Sequence, residues 1–393
     1  MKKHWGLDPE VIFLNHGSFG ACPKEVLEYQ QELRRRLERE PVRFFMRELE
    51  QGLNQTRHRL APFLGADPED LAFVPNATTG VNAVLRSLPW QPGDQILVTD
   101  HEYNACRNVA DFVADRFGVE VVLVKLPFPI DNPEVVWQKL EEKLSSKTKL
   151  LLIDAITSQT ALVMPLATLV PRLRERGIET LVDGAHAPGM LPLDLNQLGA
   201  AYFTGNCHKW LCTPKGAAVL WVRKDKQNQI RPTVISHGAN APRQDRSRFL
   251  LEFDWAGTHD PTAILSIGKA MDFLEGLFPG GWPALRRRNR EQALAARDLL
   301  CETLQVEAPC PDSMIGFMAA VPLPDGRGSK AKSPLELDPL QDALIDLYNI
   351  QVPIISWPQP PHRLVRVSCQ AYNEPHEYQA LAQALPELLA KGY

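Results

Sequence analysis

The sequence predicts an α/β protein built on a seven-stranded, mostly parallel sheet. Six short runs, each wholly apolar or rich in β-branched residues, alternate with longer segments of mixed polarity. That pattern is typical of strands covered on both faces and joined by helices. A seventh apolar run comes after the sixth across a connection too short for a crossover, so we expect this last strand to run antiparallel to its neighbour.

The large domain is predicted from these alternating segments, which form repeated strand–helix–strand units with right-handed crossovers. The predicted strands are 71–75, 95–99, 119–126, 149–155, 179–183, 201–204 and the antiparallel 216–222. The predicted helices are 79–88, 104–117, 133–144 and 166–176. We therefore expect a large α/β domain over residues 20–260.

The last third of the sequence has another pattern, with long helices over 262–276 and 283–305 and weaker strands in "MIGFMAAVP" and "HRLVRVSC". It predicts a smaller α+β domain over 261–393, with the N-terminal segment 1–19 packing near it. The stretch "PLPDGRGSKAKSP" (322–334) is interpreted as a solvated loop inside this domain.

Composition excludes several classes of protein. Across 393 residues the formal net charge is -4, and hydrophobic and charged residues make up 44% and 23%. This is the composition of a soluble globular protein, so we expect neither a nucleic-acid partner nor a membrane. The first residues are interrupted by Asp8 and Glu10 and do not resemble a signal peptide.

The seven cysteines are scattered and odd in number, which favours free thiols in a reducing, cytoplasmic setting. Cys207 and Cys212 lack a second Cys or His pair at metal-binding spacing, so we expect no metal site.

Polar residues come directly after several predicted strands, at the carboxyl ends where ligands bind in open α/β sheets. Thr78 and Thr79 can hold a phosphate at a helix start, although an ordinary helix cap is the better explanation when this signal is taken alone. Tyr103 can stack on a flat ligand, or it can belong to a solvated helix start. Thr157 and Ser158 are small donors after the fourth strand.

The stretch "VDGAHAPG" comes after the next strand. Asp183 ends an apolar strand, and a buried carboxylate there needs a positive partner or several donors. A protonated pyridine nitrogen is one such partner, and His186 can donate to an oxygen on the same ring. The alternative is that Asp183 caps a turn, because Asp, Gly and Pro also mark turns.

The stretch "TGNCHKWLCTPKG" (204–216) comes after the last parallel strand. Asn206 and His208 can donate to a phosphate, and Lys209 can bond covalently to a carbonyl if its amine loses its proton easily. Trp210 would shield that amine. A surface His–Lys pair is the alternative, but it explains neither the aromatic neighbour nor the position.

Taken together, these strand ends call for one ligand with a phosphate, an aromatic ring, a ring nitrogen that pairs with a carboxylate, and a carbonyl for lysine. Pyridoxal 5'-phosphate (PLP) has all four features, and its pyridinium is commonly paired with Asp. PLP is therefore the predicted cofactor.

The motifs that carry this prediction also resemble a known family. "VDGAHAPG", with Lys209 further along in "GNCHKWLCTPKG", is similar to the class V aminotransferases, which are fold-type I PLP-dependent enzymes. "FLNHGSFGACP", "HEYNA" and "FDWAGTHDPTA" resemble the isopenicillin N epimerase-like branch of that family.

The resemblance implies a role for each matching residue. Lys209 would bind the cofactor covalently, Asp183 would pair with the pyridine nitrogen, and His186, with Ser158, would approach the ring 3'-oxygen. Tyr103 takes the ring-stacking position, where many relatives have His. The residues implied to hold the phosphate are Thr78, Thr79, Asn206 and His208.

The resemblance further implies that Thr258 reaches the phosphate of a neighbouring subunit, and hence a homodimer. Arg366 in "LVRVSCQAYN" matches the arginine that binds the substrate α-carboxylate, and a planar guanidinium suits a carboxylate. A surface position on an edge strand is the lesser alternative for Arg366. Asn15 and His16 fall in the motif near the N-terminus and are further substrate-binding candidates.

We therefore expect a PLP-dependent enzyme that removes the Cα proton of an amino acid, with Lys209 as the base, Asp183 and His186 as further catalytic residues, and an epimerase-like outcome. A C–S lyase acting on a cysteine or cystine derivative is the second interpretation. A non-catalytic PLP-binding protein is a third. The segment before Arg366, "NIQVPIISWPQPPHRLVR", contains no cysteine, which argues against a persulfide mechanism.

Overall fold

A computed structural model describes residues 1–326 and 337–393 of the chain. The strands of these residues are β1 (Ile12–Phe13), β2 (Leu71–Val74), β3 (Gln95–Thr99), β4 (Glu120–Val124), β5 (Thr148–Asp154), β6 (Glu179–Asp183), β7 (Tyr202–Asn206), β8 (Ala218–Val222), β9 (Met318–Leu323), β10 (Ile350–Gln351), β11 (Ile354–Ser356) and β12 (Arg363–Ser368).

The helices of the same residues are α1 (His16–Phe19), α2 (Lys24–Arg39), α3 (Pro41–Arg43), α4 (Leu49–Leu64), α5 (Ala77–Ser87), α6 (Asn104–Phe117), α7 (Glu134–Glu141), α8 (Leu166–Glu175), α9 (Leu195–Leu198), α10 (Arg248–Asp254), α11 (Thr262–Leu265), α12 (Ile267–Glu275), α13 (Gly281–Leu304), α14 (Pro339–Tyr348) and α15 (Pro375–Ala390). One π-helical turn, Phe44–Glu48, lies between α3 and α4.

The main sheet has seven strands in the order β2-β8-β7-β6-β5-β3-β4. Strands β3 to β7 pair in parallel, whereas β8 pairs antiparallel with both β7 and β2. Both the predicted seven-stranded, mostly parallel sheet and its antiparallel strand are confirmed. The register aligns Asp154 of β5 with Asp183 of β6, and Asp183 with Thr204 of β7.

The central strands are buried on both faces, as their unbroken apolar sequences predict. Leu97 and Leu151 pack into one buried cluster, whereas Val98 and Leu152 pack into another, because successive side chains of a strand point to opposite faces. Helices cover both sides of the sheet, so its carboxyl edge is the part left for polar chemistry.

Several element ends differ from the predicted ones. Strand β7 continues through Asn206, so this residue belongs to the sheet and not to the loop after it. The predicted helix 262–276 is divided at Ser266, whose hydroxyl donates to the carbonyl of Thr262. In the predicted loop 322–334, the first two residues complete β9, and residues 327–334 lie outside the described ranges.

The last third of the chain contributes a three-stranded antiparallel sheet in the order β11-β12-β9. Helices α13 and α15 pack beside it. Strand β1 pairs in parallel with β10, so residues 12–13 lie against residues 350–351. The proposed division at residues 260 and 261 stays a prediction.

Two close approaches of the backbone set the geometry of the carboxyl edge. Gly80 lets α5 pack on β7, because a Cβ there would lie 2.1 Å from the Thr204 hydroxyl. Gly20 has φ 71° and ψ 160°, a conformation that only glycine adopts readily, and a Cβ there would lie 2.0 Å from the carbonyl oxygen of His208. The N-terminal segment therefore lies directly on the loop that contains Lys209.

Within the described ranges, no helix is both long enough and apolar enough to cross a bilayer.

Candidate active site

A cavity of about 400 Å³ opens at the carboxyl ends of β3, β5, β6 and β7, where open α/β sheets bind their ligands. Its walls include eight of the residues predicted for the site: Thr78, Tyr103, Ser158, Asp183, His186, Asn206, His208 and Lys209. Further wall residues come from the N-terminal segment and from the loop after Lys209: Ser18, Phe19, Lys215 and Gly216.

A larger hollow of about 640 Å³ lies between α2 and α4, away from the sheet edge. Its charged side chains pair with one another, as in the ion pairs Arg36–Glu48 and Arg59–Asp272. The smaller cavity is the better candidate because it holds a lysine, histidines and carboxylates at the ends of adjacent strands.

Lys209 lies in the loop after β7 with its side chain half buried. Burial lowers the pKa of its amine to about 8, and the nearby positive charge of Arg366 acts in the same direction, while Asp183 opposes both. A fraction of the amine is therefore neutral near physiological pH, which is the nucleophilic form of lysine.

His186 lies 3.1 Å from Lys209, measured between Nε2 and Nζ. The indole N–H of Trp210 donates to Nδ1 of His186 over 3.3 Å. Burial holds the pKa of His186 well below its usual range, so the ring is neutral. Because Nδ1 accepts a hydrogen bond, the proton lies on Nε2 and points toward the lysine. Trp210 thus fixes the tautomer of His186.

His16 lies beneath the lysine loop and not in the cavity wall. Its Nε2–H donates to the backbone carbonyl of Lys209 over 2.9 Å, and its Nδ1 accepts from the hydroxyl of Tyr372 over 2.8 Å. Burial lowers the pKa of His16 to about 3, so the ring stays neutral. Both ring nitrogens are occupied, and this geometry fits a residue that holds the loop better than one that binds substrate.

Asp183 is fully buried and points into the cavity. Its carboxylate accepts from the thiol of Cys106 over 3.0 Å and from the backbone N–H of Ala185 over 2.8 Å. Burial raises the pKa of Asp183, whereas these two donors and Lys209 act against that rise. A pyridinium nitrogen would supply the positive partner that this carboxylate lacks among the described residues.

The start of α5 has a different cap from the predicted one. The cap is Asn76, whose side-chain oxygen accepts from the backbone N–H and the hydroxyl of Thr79. Asn206 accepts from the backbone N–H of Ala77 over 2.8 Å. Thr79 therefore faces Asn76 and is absent from the cavity wall, while Thr78 lies in it beside first-turn N–H groups that can bind a phosphate.

His208 uses its Nδ1–H to donate to the carbonyl of Ala217 over 3.2 Å. Burial lowers the pKa of His208 to about 4, so the neutral ring has no second proton to offer. Its Nε2 can donate a hydrogen bond only when the ring is protonated. The negative charge of a bound phosphate would favour that protonated form. Lys215, which was not among the predicted site residues, adds a positive charge to the same wall and donates to the carbonyl of Gly20 over 2.9 Å.

Arg366 lies directly behind the cavity wall. Its guanidinium donates to the backbone carbonyl and hydroxyl of Ser158, to the hydroxyl of Ser18 over 2.9 Å and to the side chain of Asn15 over 3.4 Å. Among the described residues no carboxylate lies within ion-pair distance of it, and its buried Nε has no acceptor. Burial lowers its pKa to about 10.

Tyr103 begins α6 and borders the cavity with 45% of its side chain exposed. Strands β5 and β6 lie between β3, which precedes Tyr103, and β7, which precedes Lys209, and both residues line the same cavity. Thr258 is exposed and is not part of the cavity wall.

Sequence reasoning missed several residues of the site. Asn76 was detectable, because Asn is a preferred N-cap residue and stands directly before the helix that holds the two threonines. Ser18 and Lys215 gave no signal, since Ser18 of the short helix α1 and Lys215 of the loop before β8 reach the cavity only through the folding of the chain. Glu102, Cys106 and Asp154 lie around Asp183 and are buried, although nothing in their sequence spacing brings them together.

The residues of the cavity fit PLP. Asp183 is a buried carboxylate that a cationic ring nitrogen would stabilise. Lys209 has an amine with a lowered pKa, which suits it to bond with an aldehyde. The first turn of α5 has N–H groups that can bind a phosphate. The guanidinium of Arg366 has a buried Nε without an acceptor, which a carboxylate could satisfy. The ring nitrogen, the aldehyde and the phosphate of the cofactor therefore each meet a suitable group, and Arg366 remains for the carboxylate of a substrate.

Comparisons with known proteins agree with this geometry. The family model "Aminotransferase class-V" matches residues 13–312. An isopenicillin N epimerase of Amycolatopsis lactamdurans is 36% identical, with 97% of this chain and 96% of that protein covered. A probable chloroplastic L-cysteine desulfhydrase of Arabidopsis thaliana is 29% identical, with 98% and 84% covered.

Among solved structures, a mutant of the lyase C-DES with glycine covalently linked to its PLP cofactor has a TM-score of 0.80 at 22% identity, with 98% of both chains covered. A complex of the cystine C–S lyase C-DES with cysteine persulfide has a TM-score of 0.78 at 23% identity, covering 96% of this chain and 97% of that one.

The chain belongs to the class V aminotransferase family and has the fold of fold-type I PLP-dependent enzymes. It is a PLP-dependent enzyme, and its relatives include both epimerases and C–S lyases. The predictions of family, fold and cofactor are confirmed.

The lowered pKa of Lys209 predicts unusual reactivity of its amine. In the cofactor-free protein, trace acetylation combined with mass spectrometry should show Lys209 titrating with a midpoint near 8, with exposed Lys3 as the internal comparison. Arg366→Gln should raise that midpoint, because it removes a nearby positive charge that favours the neutral amine. A midpoint close to that of an ordinary lysine, about 10.4, would contradict this account of the site.

Proposed function

We propose that this enzyme removes the Cα proton of an amino-acid substrate and returns a proton to the same carbon, in the manner of an epimerase. The observation that carries the proposal is the buried guanidinium of Arg366, which has no carboxylate partner among the described residues and lies behind the wall of the cavity that contains Lys209. A cofactor-binding protein without substrate has no use for such a group.

Each part of the cofactor would be held by a different group of the cavity. Lys209 would bond to its aldehyde, Asp183 would face its ring nitrogen, and the Nε2–H of His186 would donate to its 3'-oxygen. Thr78, Asn206 and the first-turn N–H groups of α5 would bind its phosphate. When bound, PLP withdraws the electron pair left at Cα after the proton is removed.

Arg366 would orient the substrate by its α-carboxylate. The fork of the guanidinium suits a carboxylate, which would take the place now held by the hydroxyl of Ser18. Asn15, whose side-chain oxygen accepts from Arg366, would keep the guanidinium in its plane. With the carboxylate held there, Lys209 would be the base for the Cα proton, since its lowered pKa leaves part of the amine neutral.

A C–S lyase is the second candidate. Its support is the set of relatives described as L-cysteine desulfhydrases, and the similarity of the fold to a cystine C–S lyase. Both reactions begin with loss of the Cα proton, so the residues that bind the cofactor and the carboxylate would serve either. The two reactions differ in their next step, because a lyase then loses a thiol group from Cβ.

The reaction itself is tested with the PLP-loaded protein and single enantiomers of amino acids, cysteine and cystine. Chiral chromatography would detect interconversion of enantiomers, and ammonia and pyruvate would report elimination. We expect interconversion, with Lys209→Ala as the inactive control. Ammonia and pyruvate without interconversion would favour the lyase, and no turnover of any substrate would leave a PLP-binding protein without catalysis.

Arg366 and Cys369 allow a second test of the mechanism. Cys369 is buried directly after β12, and burial raises the pKa of its thiol to about 12, so it is protonated and unreactive. We expect Cys369→Ser to keep most of the activity. Arg366→Ala should lower kcat/KM by about tenfold or more with every substrate, because each presents a carboxylate. The opposite pattern would indicate thiol chemistry.

A homodimer is part of the proposal. It rests on the resemblance of the Thr258 motif to that of a threonine that reaches the phosphate of a neighbouring subunit, and the exposure of Thr258 is compatible with that role. Light scattering of the loaded protein should give twice the mass of one chain. Thr258→Ala should weaken PLP binding without dissociating the dimer, because only one phosphate donor is lost. A fully active monomer would refute this part. A cytoplasmic location likewise stays a prediction.

A further inference from the structure

Three buried carboxyl groups, Glu102, Asp154 and Asp183, lie together at the cavity, and we call them the acid cluster. Asp154 and Asp183 line the cavity, whereas Glu102 does not. An oxygen of Glu102, the sulfur of Cys106 and an oxygen of Asp183 lie within 4.8 Å of one another. Asp154 and Asp183 are aligned partners on neighbouring strands, so their side chains point to the same face of the sheet. Only part of this cluster has a role in the proposed chemistry.

The three carboxyl groups differ in their hydrogen bonds. Asp183 accepts from the Cys106 thiol and from a backbone N–H. Neither oxygen of Glu102 has a partner, and one oxygen of Asp154 has none, although these atoms are buried. A buried carboxylate without donors is costly, whereas a protonated carboxyl group can itself donate to a neighbouring carboxylate. The missing partners are therefore explained if Glu102 carries a proton.

Charge supports the same conclusion. Two carboxylates that share a buried site cannot both ionise cheaply, and one of them keeps its proton. Asp183 has the donors and faces the cavity, so it is the member that ionises. Burial raises the pKa of Glu102 well above its usual range, and the charge of Asp183 raises it further, against smaller opposing effects of the backbone N–H of Tyr103 and the charge of Arg107.

We infer that Glu102 is a neutral, proton-carrying acid, so that of the two neighbouring carboxyl groups Glu102 and Asp183 only Asp183 is negatively charged. Its role toward the cofactor rests on the proposed function, in which Asp183 faces the ring nitrogen. Glu102 touches neither cofactor nor substrate, so it is a positioning residue that sets the charge of Asp183. A metal ion is a poorer explanation of the cluster, because burial raises the pKa of the Cys106 thiol well above its usual range and so disfavours the thiolate that a metal ion would bind.

The direct test is infrared spectroscopy of the PLP-loaded protein near neutral pH. Glu102→Gln keeps the shape and a donor but has no carboxyl group, so it should remove one protonated-carboxyl C=O band. Glu28→Gln, on the exposed face of α2, should leave that band in place. If Glu102→Gln leaves the band unchanged, Glu102 is ionised and the inference is wrong.

Stability of the cofactor-free protein gives an independent measurement. The folded-state pKa of Glu102 is raised, so the folded protein keeps a proton that the unfolded chain releases above about pH 4.3. The free energy of unfolding therefore falls as pH rises above that value. Glu102→Gln removes that loss. Its melting temperature relative to the unsubstituted protein should therefore increase between about pH 5 and pH 8. A relative melting temperature that falls over this interval would contradict the inference.

The effect on Asp183 is tested by the visible absorbance of the bound cofactor against pH. Glu102→Ala removes the donor and should move the midpoint of this titration, whereas Glu102→Gln should restore it toward that of the unsubstituted protein. Equal midpoints in all three proteins would overturn the role of Glu102. If Glu102→Gln removes the infrared band but the unsubstituted protein turns over no amino acid, Glu102 is protonated and the proposed function is wrong. If the unsubstituted protein turns over amino acids but Glu102→Gln leaves the band in place, only the inference about Glu102 is wrong.

Discussion

The burial of charge at one edge of the sheet is the constraint on which the candidate site depends. Asp183 and Arg366 are both buried there, Lys209 is half buried, and no ion pair joins them among the described residues. Desolvation disfavours each charged form, which lowers the pKa of the lysine and raises that of the aspartate. A cationic ring nitrogen would pair with the carboxylate of Asp183, and a carboxylate would pair with the guanidinium of Arg366. Burial of these two charges therefore favours ligands that carry the opposite charges at the same positions.

The lysine can act only if its loop is held in place. His16 bonds to the carbonyl of Lys209, and Gly20 lets the N-terminal segment lie on the loop at van der Waals distance. Trp210 fixes the neighbouring His186 in one tautomer. These contacts come from three separate parts of the sequence, which explains why the N-terminal motif, although far from the lysine in sequence, belongs to the same site.

The choice between epimerisation and C–S cleavage is made after the Cα proton has been removed. Lys209, Asp183 and Arg366 would serve either reaction, because both start from the same proton and the same carboxylate. Relatives of both kinds, an isopenicillin N epimerase and a probable L-cysteine desulfhydrase, match the chain over 97% and 98% of its length.

The sequence by itself determined the order of the strands along the chain, the antiparallel last strand and the residue types at each strand end. These depend on apolar periodicity and connection length, which are local properties, and they were enough to predict the cofactor. The motif resemblance was enough to predict the family. Only the tertiary structure decided that His16 supports the loop and that Glu102 and Asp154 lie beside Asp183. Hydrogen-bond partners and desolvation depend on which distant segments meet, and no local pattern in the chain encodes them.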